Sequence, residues 1–190
     1  MKKLNKGQIW DYFILVARCL LAGLLLSYGL AKISGHQFGV PKEVMNMALK
    51  DIDLFRVSWY LADHEPFKSF IGISQMLTAM LILYNRTVIL GTFISIPIWL
   101  NILVWDITFM GLMTPFTILL PFYLLLTVLI LLHYKTQVIP ALQLCTRNTT
   151  IKYKYPIWAY LILPVLAFCL QIIAAIPGGS IRWIVKMLNL

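Results

Sequence analysis

The sequence predicts an all-α fold, a polytopic bundle of transmembrane helices. Three observations carry that reading. Of 190 residues, 61% are hydrophobic and only 12% are charged, whereas a soluble domain keeps about a quarter of its residues charged. Mean hydropathy is +0.84. Apolar runs long enough for a bilayer crossing recur along the chain, divided by polar stretches. Lipid offers the backbone no hydrogen-bond partner, so each run must be a helix. Together the runs read as one membrane domain over residues 1–190.

The first span covers Tyr12 to Ile33, 22 residues. At about 1.5 Å per residue it crosses a hydrocarbon core of roughly 30 Å. It is too long for a signal peptide and no small-residue cleavage pattern follows it. A short polar tail precedes it, with Lys2, Lys3, Lys6 and Asp11. Residues 34–66 form an outer loop with five acids, Glu43, Asp51, Asp53, Asp63 and Glu65. Within it Leu49, Ile52, Phe55, Trp59 and Leu61 outline an apolar stripe. The stripe belongs either to a helix on the outer surface or to a loop folded over the bundle mouth; both make it a lid.

The second span is 67–84, with Lys68 at its rim, and Asn85 and Arg86 make a tight connection to the third, 87–105. Asp106 to Gly111 reads as a short turn. The fourth span is 112–132, with Pro115 suited to its first turn. Residues 133–155 are a basic cytosolic connector. The fifth span is 156–177, broken by Gly178, Gly179 and Ser180 before a short interfacial helix. Pro97, Pro121 and Pro164 fall inside spans three, four and five. Each removes a backbone donor, which predicts kinks.

The formal charge of +9 does not imply nucleic acid, because basic residues of a membrane chain gather in cytosolic loops and at helix ends. Lys2, Lys3, Lys6, Arg86, Lys135, Arg147, Lys152 and Lys154 fall on one side with Asp11 as the only acid. Lys32, Lys42, Lys50, Arg56, Lys68, Arg182 and Lys186 fall on the other, among six acids. The tail and short connectors place the N-terminus in the cytosol, and five spans then place the C-terminus outside. Cys19, Cys145 and Cys169 form no CxxC and no Cys/His cluster, so neither a disulfide framework nor a metal site is legible. His36 and His64 flank the lid and would meet at the mouth, but they supply too few ligands for metal or haem. His133 reads as an interface residue, and no nucleotide-binding or hydrolase motif is present.

The polar residues inside the spans are the candidates for function. Arg18, Ala22, Leu25, Gly29 and Lys32 follow helical spacing and share one face. Ala22 and Gly29 let a neighbouring helix approach, so that face turns inward. Gly72, Gln75 and Ala79 share a face of the second span, and Gly91 and Ser95 form a small-residue pair in the third, followed by Asn101 and Asp106. A charge at the depth of Arg18 costs at least about 2.5–3.5 kcal/mol against lipid. Arg18 therefore snorkels inward, bonds Gln75, Asn101 or backbone carbonyls, or meets an anionic ligand. Tyr28 adjoins the inward face and is placed to bond Asp106 or a ligand. The candidate ligand-binding set is Arg18, Tyr28, Lys32, Gln75, Asn101 and Asp106.

Some of these residues also carry a family pattern. Arg18-x-x-Leu21-Ala22 followed by Tyr28-Gly29-x-x-Lys32-Ile33-x-Gly35-x-Gln37-Phe38 resembles the first helix of DoxX-like membrane proteins. Phe67-x-x-Phe70-x-Gly72-x-x-Gln75, then Leu81-x-Leu83-Tyr84-Asn85-Arg86-Thr87-x-x-Leu90-Gly91, with Pro97, Asn101 and Asp106, is similar to that family's second and third helices. The resemblance covers residues 12–133 and implies a four-helix core, here with a fifth transmembrane helix, in a bacterial cytoplasmic membrane. Such proteins often carry Glu where this chain has Gln75, which removes a natural partner for Arg18 and a proton carrier. Similar proteins are associated with thiosulfate:quinone oxidoreductase membrane subunits and with anchors of oxidative-stress complexes. The fold also resembles vitamin K epoxide reductase, whose dithiol is absent here.

Three functions follow as expectations. One is a non-catalytic accessory subunit, or small-ligand-binding component, of a membrane complex, with other subunits or further copies of this chain as partners. Another is a quinone-linked oxidoreductase subunit, with quinone as the ligand. The last is a small-molecule transporter, for which kinked helices and mid-membrane polar groups would serve.

Overall fold

The computed structural model describes residues 5–147 and 153–187, with 174–187 as backbone alone. The described residues hold helices and turns and no strand. Met1–Thr146 form one compact unit and Arg147–Leu190 a second.

In the first unit the long helices are α1 (Lys6–Ile33), α4 (Phe67–Leu83), α5 (Val88–Met110) and α6 (Pro115–His133). They pack as a four-helix bundle in which α1 and α5 each lie against both α4 and α6. Short helices α2 (Lys42–Met45) and α3 (Leu54–Ala62) sit between α1 and α4, and α7 (Lys135–Thr146) follows α6. The core runs along the bundle axis through Leu21, Leu25, Ile82, Trp99, Leu126 and Ile130. In the second unit, α8 spans Ile157–Met187.

Three helices, α1, α5 and α6, are each long and apolar enough to cross a membrane. Helix α4 has 17 residues, a rise of about 26 Å that falls short of a full crossing. It passes only together with α3, to which it is joined at a bend of 82°. The apolar stretch Ile157–Ile173 of α8 is likewise short. Against the five spans that the sequence predicts, the described residues hold three helices long and apolar enough to cross, or four if the bent α3–α4 pair counts as one.

Several boundaries move for local reasons. Helix α1 starts at Lys6 instead of Tyr12, because Asn5 caps it. The Asn5 side chain accepts from the Gly7 N–H at 3.4 Å, and the Gln8 side chain accepts from the Asn5 N–H at 2.9 Å. Helix α5 continues through Asp106 to Met110, where a turn was expected, and ends at Gly111 with φ +92°. Pro115 opens α6 behind the Thr114 cap. The connector after His133 is mostly the helix α7. Gly178, Gly179 and Ser180 do not break α8. Lys2, Lys3 and Lys152 lie outside the described residues, as do the side chains of Arg182 and Lys186.

The apolar stripe of the lid holds only in part. Phe55 and Trp59 are partly buried with Ser58 and Ala62 on the inner face of α3, but Leu49 and Leu61 point outward. Leu49 lies in a separate 3-10 turn, Leu49–Asp51, so the stripe's helical register does not extend back to it.

Close helix approach is set by glycine. A Cβ on Gly29 would stand 2.6 Å from the Gly72 carbonyl oxygen, and one on Gly72 would stand 3.0 Å from the Gly29 carbonyl. The two backbones of α1 and α4 therefore touch where only hydrogen atoms fit, as small residues allow in membrane helices. Arg18, Ala22, Leu25, Gly29 and Lys32 are all buried on the face that this contact turns inward.

Candidate ligand cavity

The structure separates the polar candidates into two places. Arg18 sits at the C-terminal end of α4. A helix leaves its last four carbonyls without intrahelical partners. Here all four are bonded. Met80 accepts from the Tyr84 N–H at 3.1 Å, and Leu81 from the Thr87 hydroxyl at 2.9 Å. Arg18 supplies the other two, donating from Nε to Ile82 at 3.1 Å and from Nη2 to Leu83 at 2.9 Å. Nη2 also donates to Asn85 Oδ1 at 2.8 Å and Nη1 to the Tyr134 hydroxyl at 3.3 Å. Arg18 is 4% exposed, and its guanidinium faces the negative end of the α4 dipole. Among the open sequence readings of Arg18, backbone carbonyls are what it bonds.

The other five candidates, Tyr28, Lys32, Gln75, Asn101 and Asp106, line one cavity of about 110 Å³. It lies at the opposite end of α4, inside the bundle, with walls from α1, α4, α5 and α6. Phe67 and Phe116 line it and are exposed, so it reaches the surface. Asn101 is itself exposed and belongs to that edge.

The roof comes from the turn after α1 and from α3. Gly35 and Gly39 take φ of +73° and +80°, and Phe38 between them takes +78°, a left-handed conformation uncommon for any residue with a side chain. This fold brings the Gly39 N–H to the Trp59 carbonyl at 3.1 Å and sets the Phe38 ring edge-on to Trp59 at 6.0 Å. An ion pair of Lys68 with Asp63 at 2.9 Å braces the corner between α3 and α4.

Under the roof Lys32 is 4% exposed. Its ammonium donates to Gln37 Oε1 at 2.9 Å and lies 5.2 Å from the Phe38 ring centre and 5.6 Å from that of Tyr28. Such aromatic faces attract a cation. Asp106 is half-buried and close enough to interact electrostatically with Lys32, but beyond the 4.0 Å of an ion pair. Among the described residues nothing donates a hydrogen bond to its carboxylate. Tyr28 does not bond Asp106, although it lines the same space. Gln75 is 1% exposed, and neither its amide nitrogen nor its oxygen has a partner. Below it the Trp99 indole N–H is also unpartnered, with its ring against Tyr28 and Tyr123.

The histidines do not meet at the mouth. His36 bonds Ser34 at 2.8 Å and His64 the Tyr60 carbonyl at 2.9 Å, each within its own turn. His133 pairs with Asp11 at 3.3 Å across α6 and α1. No group of three or more His, Cys, Asp or Glu side chains arranged for a metal occurs among the described residues.

Gln37, Trp105 and Tyr123 also line the cavity and were not singled out from the sequence as ligand-facing. Trp105 and Tyr123 lie in uniformly apolar runs, where no period marks an inward face. Gln37 carried a signal, since it stands five residues after Lys32 in the glycine-bounded turn.

No family model matches this chain, and no solved structure matches it. Among curated proteins, an uncharacterized protein YwoB of Bacillus subtilis (strain 168) is 37% identical over 89 residues, 46% of this chain and 56% of that protein. The match thus spans little more than half the length of that relative.

Proposed function

We propose that this chain is a multi-pass membrane protein of DoxX-like kind that binds a small polar molecule and serves as a non-catalytic component of a membrane complex. In this reading α1, the bent α3–α4 pair, α5 and α6 cross a bacterial cytoplasmic membrane, α8 makes a fifth crossing, and the N-terminus is cytosolic. The cavity then lies near the outer surface. One observation carries the binding role. Asp106, a carboxylate on a membrane helix, lines a cavity that also holds Lys32, and no group of the described residues bonds it. An ionisable side chain at such a place is expensive to keep, which marks it as a site.

The test uses protein extracted from its native membranes into lipid nanodiscs. Mass spectrometry of the denatured extract is expected to find a small molecule that the Asp106→Asn protein lacks. Identical extracts from the two proteins would remove the binding reading.

A quinone-linked role is the second reading. It is favoured by Tyr28 and Tyr123, whose hydroxyls make no hydrogen bond among the described residues and line the cavity with apolar side chains, as donors to quinone carbonyls do. Tyr28→Phe is then expected to weaken binding of a short-chain quinone analogue several-fold. Unchanged affinity would retire this second reading.

A further inference from the structure

The charges that line the cavity also define what fits between them. We propose that the cavity takes a small zwitterion, with its cationic end against Asp106 and its anionic end against Lys32. This rests on the binding role proposed above and names its ligand class.

Two opposite charges share one cavity yet stand beyond ion-pair contact. Whatever lies between them must offer a donor to Asp106 and an acceptor to Lys32. Lys32 is not free to close the gap. Gln37 and the rings of Tyr28 and Phe38 hold its ammonium, and the glycine-bounded turn holds Phe38. Only one of its three donors is engaged by Gln37, so the others remain for an incoming anion.

Charge balance disfavours singly charged ligands. The two side chains sum to zero, so a lone anion is repelled by Asp106 and a lone cation by Lys32. Burying either without compensation is costly. A molecule with only acceptors satisfies Lys32 and leaves Asp106 unpaired. A zwitterion meets both, and Trp105 beside Asp106 offers an aromatic face for its cationic end. Size agrees. At about 110 Å³ the space is smaller than the roughly 150 Å³ engineered cavity that accepts the six carbons of benzene, which limits the ligand to about four to six non-hydrogen atoms. A short amino acid has that size.

The experiment uses the full chain in nanodiscs and ligand-observed NMR at fixed salt, with three probes: β-alanine, propionate and propylamine. Wild type is expected to bind β-alanine at least about tenfold more tightly than either singly charged probe. Asp106→Asn should lose that preference and gain propionate, and Lys32→Met should lose it and gain propylamine. The opposite response of the two variants is a pattern that a purely structural role for either residue would not produce. If wild type binds the singly charged probes as well as β-alanine, or both variants weaken all probes alike, the zwitterion class is overturned while the site stands. If wild type binds none of the three and its native extract carries no ligand, the site falls as well.

Discussion

The two ends of the bundle treat buried polarity in opposite ways. At one end a single guanidinium makes four hydrogen bonds and, with Tyr84 and Thr87, completes every carbonyl that α4 leaves open. At the other, Asp106 accepts no hydrogen bond from the described residues, and Gln75 has none at either amide atom. Both ends hold charge inside an apolar bundle, so burial alone does not distinguish structure from site. What distinguishes them is completeness. A saturated group holds helices together, and an unsaturated one is, in the function proposed here, what a ligand completes.

Substitutions should divide along the same line. The largest loss of stability is expected from Arg18→Leu, which strands the Ile82 and Leu83 carbonyls in apolar surroundings. An unmade bond to a buried group costs about 1–3 kcal/mol, so the total for the two should be about 2–6 kcal/mol. Thermal unfolding in detergent measures it. Arg18→Lys should recover little, because one ammonium cannot serve acceptors spread across a fork. A fully stable Arg18→Leu protein would erase the contrast between the two ends.

Next comes Gly72→Val. Its side chain would meet the α1 backbone at the Gly29 contact, and forced overpacking costs about 1–3 kcal/mol. Cross-linking yield between cysteines placed on α1 and α4 should fall with it. At the cavity end the sign reverses. Gln75→Leu removes two unpartnered polar atoms and should raise stability by up to about 1 kcal/mol; the same melting experiment would show a drop if hidden partners exist. The smallest effect is expected from Asp11→Asn. Asp11 is 63% exposed in its pair with His133, and exposed pairs contribute less than about 1 kcal/mol. A larger shift would mean that this contact anchors α6 to α1.

Much of the helical frame was legible because spacing alone reports it. The run from Arg18 to Lys32 at intervals of three and four identifies an inward face, and Gly29 and Gly72 mark where two backbones meet. Helix depth alone puts Lys32 and Asp106 at one level and Gln75 and Asn101 deeper; in the structure these four and Tyr28 line one cavity. Arg18 stands at the other end of α4, and two of its four acceptors are backbone oxygens, which carry no residue signature. The lid register failed for a related reason. Leu49 and Leu61 fit a single helix through residues 49–61, but the chain makes a 3-10 turn and then restarts at the Asp53 cap, which accepts from the Arg56 N–H at 2.9 Å. Asp106 was placed in a turn because a charge normally ends an apolar run; here the cavity allows the helix to carry it inside.

The Arg18 anchorage also imposes an order on biosynthesis. The groups that receive the guanidinium are made 64, 65, 67 and 116 residues after it. At an elongation rate of about 5–20 residues per second, the first helix waits on the order of 3–13 s for Ile82, Leu83 and Asn85 to be translated. During that interval the nascent segment must park its cation at the translocon or the headgroup boundary. The hairpin of α4 and α5 is therefore both a structural neighbour and the component whose arrival lets the first segment settle.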